Sequence, residues 1–83
     1  MPKNFRVFAE APSNFGYDKF QIALFDSIEK AKVYAVKLVK DLKASAKETD
    51  DDESVVIENL KTGQVVEAWK NELGKVVHYD KGW

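Results

Sequence analysis

Only one stretch of this chain repeats its apolar residues at helical spacing, and that limits the fold more than any other feature. Ile28, Ala31, Ala35, Leu38 and Leu42 recur at intervals of three and four, which aligns them on one face of an α-helix. Tyr34 and Val39 flank this stripe. Asp26-Ser27-Ile28-Glu29 reads as a capping box, with Asp26 accepting from first-turn amides and Glu29 reaching back. The helix is expected from Asp26 to about Lys47. Lys40, Lys43 and Lys47 fall toward its C-terminal end, where cations complement the helix dipole.

Everything else alternates at the period of a strand. Phe5, Val7 and Ala9 point one way, and Arg6, Phe8 and Glu10 the other. Ala11 to Gly16 reads as a turn, with Pro12, Asn14 and Gly16 as breakers. Asp18 to Phe25 resumes the alternation, with Phe20, Ile22 and Leu24 expected on one side. After the helix, Ser54 to Leu60 and Gln64 to Trp69 read as strands joined at Lys61-Thr62-Gly63. A two-residue loop there would oppose Glu58 and Glu67. A three-residue loop with Gly63 left-handed pairs Glu58 with Val66 instead, and it is preferred because like charges directly opposite are destabilising. Asn71 to Gly74 is a further turn, and Lys75 to Tyr79 a short fifth strand. Gly16, Gly63, Gly74 and Gly82 all read as isolated turn glycines. The expected fold is α+β: ββαββ with a fifth strand appended, one amphipathic helix packed on a mainly antiparallel sheet, in one domain over 1–83.

The 83 residues fit one domain, which at this size buries only about 60–65% of its unfolded surface. The chain has no cysteine, which excludes disulfides, thiolate metal sites and a thiol nucleophile. No long apolar segment follows Met1, and no apolar run approaches the ~20 residues that span a bilayer. These features predict a cytoplasmic protein with no membrane partner. Formal net charge is −1, whereas a dedicated polyanion binder carries a basic surplus.

Few residues invite catalysis. His78 is the sole histidine and is expected on an edge strand, without the nucleophile and orienting partner that a catalytic histidine needs. No serine lies in Gly-x-Ser-x-Gly, and there is no glycine-rich phosphate loop. The acidic run Glu48 to Glu53 is expected to be a flexible, solvated loop. It lacks the alternate ligands, central glycine and distal glutamate of a calcium loop. No catalytic residue, metal site or cofactor is expected, and the chain is not expected to be an enzyme.

Two surfaces suggest contacts. From Glu29 to Lys47 lie six lysines against two acids, Glu29 and Asp41, so the helix is basic. Lys32, Val33, Val36, Lys40 and Lys43 stand on its outer side, away from the core stripe. The strands, in turn, carry apolar residues on both parities, while one helix about 10 Å wide covers two or three strands spaced ~4.8 Å apart. An open sheet face is therefore expected, with Phe8, Trp69 and Tyr79 as candidate contacts. Whether Trp69 meets the helix or a partner is open. The expected function is a non-enzymatic protein-interaction module that uses this face, as a homodimer or in a complex. The alternative is nucleic-acid binding by helix lysines or sheet aromatics. The Phe25-Asp26-Ser27 helix start and the Thr62-Gly63 hairpin occur in many small bacterial and phage domains, but they are secondary-structure punctuation and mark no family.

Overall fold

The alternating segments pair into a single sheet. A computed structural model describes residues 2–80. Its elements are β1 (Phe5–Ser13), β2 (Gly16–Phe25), α1 (Ile28–Ala46), β3 (Ser54–Asn59), β4 (Gln64–Glu72) and β5 (Lys75–Asp80). The five strands lie in the order β2-β1-β3-β4-β5 with every neighbouring pair antiparallel. The helix packs on one face, so the expected α+β architecture holds and the fifth strand is real. Among the described residues, no helix is long and apolar enough to cross a membrane. Gly82, expected as a turn glycine, lies outside the described residues.

Packing follows the predicted stripe. Val7 and Ala9 of β1 and Val55 and Ile57 of β3 meet Ala31, Ala35, Leu38, Val39 and Leu42 of α1, and all nine are buried. Alanines at two of the helical positions let the helix axis approach the sheet closely. Each fully buried Val, Leu or Ile contributes about 1.5–3 kcal/mol.

Local chemistry departs from expectation at five points. The cap is Ser27, not Asp26: its hydroxyl accepts from the Lys30 amide at 3.3 Å, while Asp26 pairs with the Lys30 ammonium at 3.0 Å. The first turn is only Asn14-Phe15, so Pro12 lies in β1, opposite Tyr17. β2 carries a bulge: Ala23 pairs with Val7 but Phe20 pairs with Ala9, and Gln21 takes a left-handed φ of 53°. Phe20 therefore faces the helix while Ile22 and Leu24 face away, which corrects the expected single side. Between β3 and β4 the loop is four residues, Asn59 facing Gln64. A bulge at Val66 then sets Glu58 against Val65 and Ile57 against Glu67, so the two glutamates still avoid each other.

The fifth departure concerns the β4–β5 end. β4 runs on to Glu72, and the turn is Leu73-Gly74, both at positive φ (54° and 85°). Asn71, fully buried, supports it. Its Oδ1 accepts from the Gly74 amide at 3.0 Å and its Nδ2 donates to the Thr49 carbonyl at 3.2 Å. The Asn71 backbone amide donates to the Glu53 carbonyl at 2.8 Å. The acidic segment is thus tied to β4 at both ends, with Asp50, Asp51 and Asp52 exposed between.

Candidate interaction surfaces

On the helix-free face, register aligns Phe8, Val56, Ala68 and Tyr79 in one row across four strands. Phe8 is only 3% exposed, and Val56 and Ala68 are buried as well. The cover comes from the sheet itself. The Arg6 guanidinium lies 5.2 Å from the Phe8 ring centre and the Lys19 ammonium 4.9 Å. Arg6 also pairs with Glu58 at 2.5 Å. Long charged side chains lay their stems over the apolar row and keep their heads in water. Phe8 is therefore not free for contact, which corrects the expectation of a bare apolar face. Tyr79 is half-buried and donates its hydroxyl to Glu72, a hydrogen bond that pushes the phenol above its ordinary range.

Trp69 lies on the other face. It stands opposite Val55 and packs against the helix-side core, and its ring stacks on His78 of edge strand β5 at 4.9 Å and 13°. The register also places Glu67, 8% exposed, on this side. The Lys32 ammonium reaches its carboxylate at 3.0 Å, and the His78 Nε2 lies 3.1 Å from the other oxygen of the same carboxylate. Burial pushes the Glu67 carboxyl up, but the hydrogen bonds and charges of Lys32 and His78 outweigh it and hold it below its ordinary range. The Glu67 hydrogen bond raises Lys32 in turn. A carboxylate that orients an imidazole can serve acid–base chemistry. Among the described residues, however, no hydroxyl shares a hydrogen bond with His78, and no three His, Cys, Asp or Glu side chains are placed to hold a metal. The sequence reading missed Glu67, although its signal was there: a charge on the same parity as Trp69.

The helix candidates divide between two flanks. Val36, Lys40 and Lys43 stand with Lys32 toward β4 and β5. Lys43, Lys47 and Lys75 border a shallow depression floored by Ala46, Gly74 and Val76. Lys40, Lys43, Lys47 and Lys75 make no ion pair among the described residues. Val33 sits on the β2 side with Phe25, Tyr34, Lys30 and Lys37.

Exposed apolar side chains gather instead along β2. Tyr17, Phe20, Ile22 and Leu24 are 56%, 41%, 53% and 46% exposed, and Phe15 at the hairpin tip is fully exposed. β2 is an edge strand of ten residues, with one backbone side unpaired by any strand. Among the described residues, its one side-chain hydrogen bond beyond β1 is from the Tyr34 hydroxyl, which donates to the Gln21 carbonyl at 3.0 Å, while the Phe25 ring packs against Tyr34 at 5.4 Å. Alternation alone hides this feature, because an edge strand and a central strand can share the same pattern. No family model, curated protein or solved structure matches the chain. Function therefore has to be argued from these surfaces.

Proposed function

We propose that this domain is a non-enzymatic protein-interaction module that docks another chain along the β2 edge. The carrying observation is a ten-residue edge strand on which four large apolar side chains are each more than two-fifths exposed. Such an edge offers a row of amide and carbonyl groups together with apolar side chains, the two components of recognition by strand addition. The helix-free face, in contrast, covers its own apolar row with Arg6 and Lys19. The proposed setting is the cytoplasm, since a chain without cysteine has no disulfide to form in an oxidising compartment.

Nucleic-acid binding is the second reading, favoured by the unpaired Lys40, Lys43 and Lys47 on one helical flank. It loses two of its three sheet aromatics, because Phe8 is enclosed and Trp69 faces the helix, while Tyr79 stays half-buried on the helix-free face. Lysine-reactive crosslinking in native extract tests the leading reading. Lys19, on β2, should crosslink to another protein chain, and the product should vanish in Leu24→Lys. Absence of any crosslink from β2, together with salt-sensitive binding to nucleic acid, would overturn it in favour of the second.

A further inference from the structure

We infer that the chain docking on β2 is a second copy, the two β2 strands running antiparallel about a two-fold axis at the middle of the strand. This rests on the reading of β2 as the docking edge. Pairing Phe20 with Gln21 of the second copy sets Lys19 opposite Ile22, Asp18 opposite Ala23, Tyr17 opposite Leu24 and Gly16 opposite Phe25. All ten residues of β2 are then paired.

The bulge makes this register possible. Side chains directly opposite in a sheet must lie on the same face. In a regular strand residues 19 and 22, or 17 and 24, point to opposite faces. Here Lys19 reaches the Phe8 ring on the helix-free face, and Leu24 stands opposite Arg6 on that same face. Tyr17 shares Lys19's parity and Ile22 shares Leu24's. Phe20, beyond the bulge, stands opposite Ala9 on the helix face. The extra residue at Gln21 resets the parity at the strand's centre, so its two halves match under a two-fold rotation.

The resulting neighbours are compatible. Leu24 meets Tyr17 twice, once on each side of the axis. Ile22 lies against Lys19, and no two like charges stand directly opposite. The two Phe20 rings approach the axis on the helix face, where each borders a depression lined also by Ala9, Leu38 and Leu42. The central Gln21 carbonyl already accepts from Tyr34, so the seam can do without a ladder bond there. Net charge of −1 per copy gives little long-range repulsion. The seam is about 33 Å long but narrow, which places it at the small end of stable interfaces and predicts concentration-dependent association.

Sedimentation equilibrium across concentration tests the second copy, and charge variants at exposed positions test the register. Ile22→Lys places lysine opposite Lys19 and should weaken the dimer at least about tenfold, equivalent to ~1.4 kcal/mol. Ile22→Glu faces the same lysine and should retain it. Adding Lys19→Glu to Ile22→Lys should restore it. Because the chain lacks cysteine, a Lys19→Cys/Ile22→Cys variant gives an independent readout: oxidation should yield a covalent dimer even if a charge variant folds poorly. Equal weakening by Ile22→Lys and Ile22→Glu, with no disulfide dimer, would overturn this pairing. A wild type that stays monomeric at about 1 mM overturns the second copy outright. If Lys19 still crosslinks to a foreign chain in extract, the docking edge survives that result; if it crosslinks to nothing, both fall.

Discussion

Replacing Asn71 with leucine should cost about 2–3 kcal/mol, although the two side chains are similar in size. Asn71 is fully buried, and its side chain satisfies the Gly74 amide at 3.0 Å and the Thr49 carbonyl at 3.2 Å. Leucine leaves both without a partner, at about 1–3 kcal/mol for each fully buried group. Gly74 and Thr49 are themselves half-buried, so water recovers part of this. Apolar burial by leucine offsets about 1–2 kcal/mol more. For a domain whose whole stability is about 4–12 kcal/mol, the loss should lower Tm by roughly 10–20 °C. Urea titration followed by circular dichroism measures it, and amide exchange should quicken first at Gly74 and in the 48–53 segment. Asn71→Asp sharpens the test. One carboxylate oxygen can still accept from Gly74, but the other faces the Thr49 carbonyl. Burial and that oxygen should raise the aspartate above its unfolded value. The variant should therefore be most stable below pH ~4 and lose stability as pH rises through the raised value. A leucine variant as stable as wild type, or an aspartate variant with no such trend, would refute the role given to Asn71.

Three further outcomes follow from the packing. Leu38→Ala should cost about 2–5 kcal/mol from the middle of the buried stripe, whereas Lys37→Ala should change stability by under about 0.5 kcal/mol; equal losses in urea melts would mean the helix face is misplaced. Trp69→Glu should unfold the domain, because that ring sits against the helix-side core, and a folded variant with native amide shifts would contradict the placement. Glu67 is held below its ordinary range by Lys32 and His78, against the opposing effect of burial. Its contribution is thus present above the unfolded value and lost as pH falls through the depressed one. The stability gap between wild type and Glu67→Gln should shrink on acidification below pH ~4, and a gap independent of pH would count against the charged pairing.

Much of the architecture was legible because it depends on periodicity. One 3.6-residue stripe and five alternating segments left little choice beyond a helix on an antiparallel sheet. Features that depend on a single residue were not. Gln21 carries no mark of a bulge such as glycine, yet its left-handed φ moves Phe20 to the other face. Val66 is one of two adjacent valines, and nothing local says which one opposes Glu58. Ser27 and Asp26 are both good caps, and only the backbone's entry into the helix chose between them. The helix-free face was misjudged for another reason. Phe8 is covered by Arg6 from its own strand and by Lys19 from the neighbouring one, and that cover depends on a register that cross-strand pairing fixes.

The two sheet edges differ in a way that supports β2 as the proposed docking edge. Five strands at ~4.8 Å spacing make a sheet about 20 Å wide between its outer strands, twice the width of the helix laid upon it. Both edges therefore project beyond the helix, and each needs some other means of staying soluble and unpaired. β5 has one: six residues, with Lys75, His78 and Asp80 exposed, and beneath them the Glu67 carboxylate held by Lys32 and His78. β2 has ten residues, one lysine and one aspartate, and a bulge whose carbonyl is taken by Tyr34. A bulge ordinarily blunts an edge by twisting it away from any partner. At the centre of β2 it also gives the two halves of the strand matching side-chain parity, so in the proposed pairing the same residue that discourages a regular foreign strand would admit a second β2.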